Sequence, residues 1–547
     1  MDTKKRYLMI LLSMVLGALL VFGSNIQAQG EELAAEQVLN ISLETGDLQT
    51  ADPHYASGTQ DRVIVDMVFN SLIRYKHGAF PEIEPDLATA IPKPEMVDGK
   101  QVWKFQLRRG IMTHPFSGYP NGYELTSEDV VYSLKRAADP ARSAWAGEYP
   151  DWIHFEAVDK YTVKVTLDKP LSPTLFLPKF VDWAGGFIVP KKAIEKLGPS
   201  KFKTQPVGTG PFIFKKYLPK ERVVFDRHPN YFRGKPILEK VNAIYIADVS
   251  AAEMGLKKGE LHVVMGPSEQ PWVEKMEAAE GIIVDVFPPG ENVNIYYNTK
   301  KPPLDSLDVR KAIAYALSRK DFIALFGERI ATPTYSPVPF PFQTGGLAKE
   351  DLEKAGISWE VGPHDLDLKR AKDLLAKAGY PNGFKLEVYS SQRAYYLKPF
   401  EIVQAQLRKI GIDLKIKVVD HAAYHSLIRK DANPLVFYNA WRGSADIYLT
   451  NFFHSTSRVV VGKSPNTNFA HSEMVDKLIE KARFESDPKK QEVLWKEAHI
   501  ELAKNVCFST FCLIQLTDAR SVSLDWGKPL KAARVYGHID WKTKILK

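Results

Sequence analysis

Two alternations mark the N-terminal half of the chain. In Trp103-Lys104-Phe105-Gln106-Leu107, and again in Tyr161-Thr162-Val163-Lys164-Val165-Thr166-Leu167, apolar and polar residues exchange at nearly every step. A period of two puts one set on a single face of an extended backbone, so both runs predict half-buried strands. Between them Thr126 precedes Ser127-Glu128-Asp129, a close relative of the capping box, and opens a helix. Val130, Leu134, Ala137 and Ala138 make its apolar stripe, and Asp139-Pro140 ends it.

The second half repeats a different unit. Leu368, Ala371, Leu374, Leu375 and Ala378 share one helical face, Gly379 caps it, and Pro381-Asn382-Gly383 turns into the alternating Phe384, Leu386 and Val388. Pro399 is then read as a helix start, with Phe400, Val403, Leu407 and Ile410 behind it, Gly411 as its cap, and Ile412, Leu414, Ile416 and Val418 as the following strand. Val309, Ala312, Ile313, Ala316 and Leu317 form another helical face. Helices alternating with strands predict an α/β body. The Pro-rich break Phe287-Pro288-Pro289-Gly290 falls where the strand-rich half gives way to the α/β half, near a crossing between two lobes.

The first residues change the picture. Lys4, Lys5 and Arg6 precede an apolar run from Tyr7 to Phe22, and Gly23 to Ala28 follow as small or polar residues. This reads as a secretory signal over residues 1–28, and the run is shorter than the ~20 residues that span a bilayer. No cysteine follows it, so no lipid anchor is expected, and the protein is expected in the periplasm. The chain of 547 residues is 45% hydrophobic and 25% charged, which excludes disordered, collagenous and coiled-coil classes. Its 73 basic residues are offset by 65 acidic ones without a basic stripe, so no nucleic-acid partner is expected.

Cys507 and Cys512 lie in a β-branched and aromatic run. On a strand their alpha carbons would stand about 16 Å apart, beyond the ~7 Å a disulfide tolerates, so two free buried thiols are expected. Neither a metal site nor a cofactor is expected. Nucleophile elbows, H-E-x-x-H, C-x-x-C and phosphate-loop motifs are absent, and Gly208-Thr209-Gly210 runs into Pro211-Phe212 rather than into a helix. The expectation is a binding protein, not an enzyme.

Five ordered segments then carry a resemblance. They are Pro206 to Phe212; Asn230 to Pro236; Tyr297 to Leu304 running into Asp308 to Leu317; Ala371 to Leu375 with Ala378 to Phe384; and Gln406 to Ile412. Together they resemble the extracellular solute-binding proteins of family 5, the peptide- and nickel-type receptors of ABC importers. The resemblance implies an α/β, two-lobed periplasmic binding protein fold (cluster C, type II-like) with a large first lobe and a hinge. Lobe I would span 38–288, with an extra subdomain at about 80–195, lobe II 289–515, and residues 516–547 would return to lobe I. A small-molecule or peptide ligand would be held between the lobes and handed to an inner-membrane ABC permease by a monomer. Peptide is the first expectation for cargo; a nickel complex or a sugar is the alternative, and a periplasmic hydrolase or a receptor without a transporter are the competing classes.

The same resemblance proposes ligand contacts. Asp52-Pro53-His54-Tyr55 with Ala56-Ser57-Gly58 resembles a segment at the cleft floor, which nominates Tyr55, Ser57 and Gly58; the alternative is a plain chain turn. Arg393 lies where peptide-binding relatives pair an arginine with a ligand carboxylate, or is a surface arginine. Trp441 matches the family's pocket tryptophan, or is a core residue, and Arg442 beside it favours an anionic ligand or faces solvent. Ser444 stands where those relatives carry an ammonium-anchoring aspartate, and the first acid, Asp446, comes two residues later.

Overall fold

The computed structural model describes residues 32–183, 185–359, 365–439, 441–462 and 466–547. The leader expected over residues 1–28 lies outside the described residues. No helix among those described is long and apolar enough to cross a membrane.

A nine-stranded mixed sheet forms the spine. Val38–Leu43 lies at its middle, parallel to both Lys240–Tyr245 and Val263–Gly266. On one side the order continues antiparallel through Arg222–Arg227 to Phe212–Leu218. On the other, Val263–Gly266 pairs with Phe508–Ser521, which pairs with Ile282–Tyr297, and this with Leu435–Phe437. The 16-residue Ile282–Tyr297 and 14-residue Phe508–Ser521 strands are the longest of the sheet, each about 45–55 Å of chain. Their first and last residues therefore sit in different surroundings. The ladder between them shifts register between Phe287 and Glu291, at the Pro288-Pro289-Gly290 break. A proline cannot donate to a ladder, so pairing is interrupted there.

The predicted strands and helix appear. Lys100–Gln106 and Thr162–Leu167 pair in a four-stranded antiparallel sheet whose inner face carries Trp103, Phe105, Val163 and Val165. Trp103 stacks on Phe176 with ring centroids 4.0 Å apart. Across from this sheet lies the Ser127–Ala137 helix, opened by Thr126 and Asp129 as a reciprocal capping box. In the second half, Lys385–Ser391 and Asp413–Val419 pair in parallel across the Ala394–Arg408 helix, a βαβ unit. Pro399 does not start that helix but sits inside it. Tyr396, Phe400, Val403 and Leu407 are buried on one face, so packing carries the helix past the missing N–H.

Three hydrophobic cores result. One lies under the sheet around Ile41, Val241 and Phe225, one fills the 72–188 region, and the largest joins the second half. That largest core also takes in Trp272, Val273, Met276 and Val284, so hydrophobic packing continues across the break at 288. Cys507 and Cys512 are both free and buried there, and burial pushes each thiol up to about 12.

Candidate ligand cavity

A cavity of about 480 Å³ opens between segments far apart in sequence. One wall comes from Trp145, Glu148, Trp152 and Lys179, the other from Trp441 to Ser444, Asp446 and Arg483, and Arg62, Trp183 and Arg534 meet between them. This size lies in the range of small-molecule sites, which are typically about 300–1,000 Å³.

Its chemistry is set by two arginines on one indole. The Arg62 and Arg534 guanidinium carbons lie 3.1 and 3.3 Å from the centroid of the Trp183 ring. Two groups so close to one centroid must occupy opposite faces. Arg62 is 7% exposed and Arg534 9%. Burial lowers the pKa of Arg62 to about 10 and that of Arg534 to about 9, with the neighbouring Arg62 charge adding to the latter, so both stay protonated at neutral pH. Neither makes an ion pair with a carboxylate among the described residues, and Arg534 Nε is buried without a hydrogen-bond partner. A buried cation left unpaired is costly, and the aromatic faces of Trp183 and Tyr75 offset only part of that cost.

The carboxylates that line the cavity are already engaged. Asp446 accepts from Arg483 Nε at 3.1 and 3.2 Å, and Glu148 pairs with Lys179 at 3.4 Å. Burial pushes the Asp446 carboxyl up, against the pull of Arg483. Ser444 is the N-cap of the Ala445–Phe453 helix, its Oγ accepting from the Ile447 amide, so the positive end of that helix adjoins the cavity. The lining therefore holds cationic character in excess.

Of the residues nominated from sequence, Trp441, Arg442 and Asp446 line this cavity. Trp441 packs edge-on against Phe80 at 5.7 Å with its indole N–H buried and unpartnered, and the Arg442 guanidinium lies 5.2 Å over Phe452. Tyr55, Ser57, Gly58 and Arg393 do not line it. Tyr55 Oη donates to the Ala141 carbonyl, Ser57 is exposed, and Gly58 is the N-cap of the Thr59–Val68 helix. The preceding Asp52 is fully buried against Arg136. Arg393 is exposed at the N-cap of Ala394–Arg408. Residues 114–122, an aromatic loop, pack through His114 onto the Gly208-Thr209-Gly210 turn and away from the cavity lining. At Gly208 a Cβ would lie 2.0 Å from the Val68 carbonyl, so this turn is a close-packing device.

Sequence reading missed Arg62, Trp183 and Arg534. The available signal was a lone arginine in an apolar run, Val63-Ile64-Val65 after Arg62 and Ala532-Ala533 before Arg534. It also passed over His421-Ala422-Ala423-Tyr424-His425, an H-x-x-x-H spacing whose Nε2 atoms stand 3.2 Å apart.

Comparison with known proteins agrees with this architecture. The chain is 26% identical over 465 residues to heme-binding protein A of Haemophilus influenzae, covering 81% of each. It is 27% identical over 473 residues to the dipeptide-binding protein of Escherichia coli, covering 82% of this chain and 83% of that one. The solved structure of the periplasmic binding protein MoaA in complex with mannopinic acid, from A. tumefaciens R10, superposes with a TM-score of 0.73 at 35% identity, covering 94% of this chain and all of that one. Residues 82–458 match the family model for the middle region of bacterial extracellular solute-binding proteins, family 5. The chain belongs to the family 5 extracellular solute-binding proteins.

Proposed function

We propose that this protein is exported through residues 1–28 to the periplasm, as a soluble receptor rather than a lipoprotein, and delivers a small carboxylate-bearing solute to an inner-membrane ABC importer. The cargo class is a short peptide or a related amino-acid conjugate. The observation that carries this reading is the pair of buried guanidiniums on Trp183 without a carboxylate partner. A guanidinium matches a planar carboxylate with two parallel hydrogen bonds. The lining acids, each already paired, leave no excess negative charge for a lone ammonium. A dipeptide-binding relative and a mannopinic acid complex among the similar proteins fit the same chemistry.

In this reading residues 38–288 and 516–547 form the first lobe and 289–515 the second, with the Ile282–Tyr297 and Phe508–Ser521 strands as the crossings. Closure around cargo follows only where the ligand touches both walls, because affinity for one wall alone shifts no equilibrium. Native mass spectrometry of freshly purified protein, followed by calorimetry with the co-purified solute and its carboxamide, tests the reading. A bound carboxylic acid whose amide binds at least tenfold more weakly is expected; a cationic or uncharged cargo would overturn it.

A further inference from the structure

Next to the cavity lies a cluster that cargo binding does not use. His77 sits in the turn between strands Ile73–Tyr75 and Ile83–Pro85, Asp182 adjoins Trp183, and His538 belongs to the C-terminal segment. The turn and the C-terminal segment are held together by close backbone approach. Gly78, at φ +78°, has the Pro529 carbonyl where a Cβ would be, and its own carbonyl accepts from the amides of Lys531 and Ala532. His77 and His538 stack with ring centroids 4.3 Å apart.

Each side chain of the cluster has one atom engaged and another spare. His77 Nδ1 is bonded to Asp540 Oδ2 at 3.1 Å, while its Nε2 stands 3.8 Å from Asp182 Oδ2, too far for a hydrogen bond. Asp182 Oδ1 accepts from the Tyr75 amide at 3.0 Å, which leaves Oδ2 open. His538 Nε2 faces Asp66 Oδ2 at 3.4 Å, and its Nδ1 is buried with no partner at all. A carboxylate on one imidazole nitrogen, with the other nitrogen free, is how metal-ligating histidines are oriented.

We propose that His77, Asp182 and His538 hold a divalent transition-metal ion of the zinc class. One ligand atom from each lies within 4.8 Å of the others; because an imidazole ligates in its own plane, one of the two stacked rings turns out of the stack for all three to reach the ~2.0–2.2 Å bond lengths of zinc. Two imidazoles and one carboxylate suit a borderline metal rather than calcium or magnesium. Two small voids adjoin the cluster, one of about 10 Å³ bordered by Asp182 and His538 and one of about 20 Å³ bordered by His77 and Asp182. Of the nearby cations Lys528 is taken by Asp540 at 2.8 Å, while Arg62 and Arg534 keep their charge on Trp183 and oppose the ion, so the carboxylates of Asp66, Asp182 and Asp540 have to outweigh them. The ion would tie the turn, the C-terminal segment and the residue preceding Trp183 into one unit beneath the cavity.

The test uses chelator-treated, dialysed full chain titrated with zinc chloride alone, followed by calorimetry and by metal analysis after desalting. One equivalent per chain and a raised melting temperature are expected. His538→Gln should weaken zinc binding by about tenfold or more. His421→Gln with His425→Gln should leave it unchanged. Retention of zinc by a folded His77→Gln/His538→Gln chain, or its loss only with the His421/His425 pair, would overturn the proposal. Cobalt(II) added to the unaltered protein gives a second readout that needs no variant: an intense visible band of tetrahedral coordination is expected, and its absence would overturn the site.

Discussion

Arg136 and Arg534 are both buried arginines, yet their surroundings differ in one respect. Arg136, 2% exposed, donates to Asp52 Oδ1 at 3.0 Å and to His54 Nδ1 at 2.7 Å. His54, driven down to about 4 by burial, stays neutral and uses Nε2 on the Phe187 carbonyl at 3.2 Å. That network is closed. Arg534 has aromatic faces, a buried Nε without a partner and no carboxylate within ion-pair distance among the described residues. A closed network holds the fold together; an open one, in the proposed reading, is completed by cargo. The Asp-Pro segment that resembles a cleft floor thus does local structural duty, while the arginine that the sequence did not advertise sits at the cavity.

The comparison is broken most severely by Arg136→Ala. It leaves the buried Asp52 carboxyl without its cationic partner, and a loss of about 3–5 kcal/mol is expected in urea unfolding. Restoring much of that loss with Asp52→Asn in the same chain would show that the stranded charge is the cause. An unfolding midpoint equal to that of the unaltered protein would mean the Asp52–Arg136 network contributes nothing.

Arg534→Gln should divide the two roles the other way. Removing a buried cation without a partner leaves stability little changed. Loss of a charged hydrogen bond to a carboxylate costs about 1.5–3 kcal/mol, a factor of roughly ten to over a hundred in affinity. Calorimetry with the co-purified solute reads the second effect and thermal melting the first. An affinity within twofold of the unaltered protein would remove Arg534 from the site.

How much of this was legible beforehand divides along a physical line. The strands at 100–106 and 162–167, the Thr126 cap and the βαβ unit around 385–419 follow from local periodicity and capping chemistry, which short windows contain. Pro399 was misread because a proline more often begins a helix than lies inside one, and the tertiary packing of Tyr396 and Phe400 that overrides this is not local. At the cavity, Trp441, Arg442 and Asp446 are contiguous and came from one motif. Arg62, Trp183 and Arg534, from a helix and two segments outside the strands, are brought together over more than 470 residues by tertiary packing, and no window holds all three. The cluster of His77, Asp182 and His538 was invisible for the same reason.

Asp518 is the anionic mirror of Arg534: a fully buried carboxyl whose partner is the Gly537 amide at 3.0 Å rather than a cation. Burial pushes it up to about 7, with repulsion from Asp285 in the same direction. The native state then holds a proton that the unfolded chain has already released between about pH 4 and pH 7. Stability is therefore expected to fall as pH rises through that window, by at most about 1.4 kcal/mol per pH unit from this group. Urea unfolding at pH 5 and pH 7 should show the fall in the unaltered protein and a flatter dependence in Asp518→Asn. An identical slope in both would assign the dependence to other groups.

Arg393 gives the smallest expected effect and the sharpest discrimination. It is exposed at a helix N-cap, beside His421, and is not part of the cavity lining. In this geometry Arg393→Ala leaves affinity for a carboxylate-bearing solute within about twofold and stability within about 0.5 kcal/mol, as surface substitutions usually do. The resemblance to peptide-binding relatives makes the opposite demand, since there an arginine at this place meets the ligand carboxylate. Calorimetry on the Arg393→Ala and Arg534→Gln chains with the same solute separates the two. Loss with Arg534→Gln alone places the carboxylate on Trp183's arginines. Loss with Arg393→Ala alone would mean that closure carries the 394–408 helix onto the ligand, and that the cationic pair beside Trp183 serves another group of the cargo.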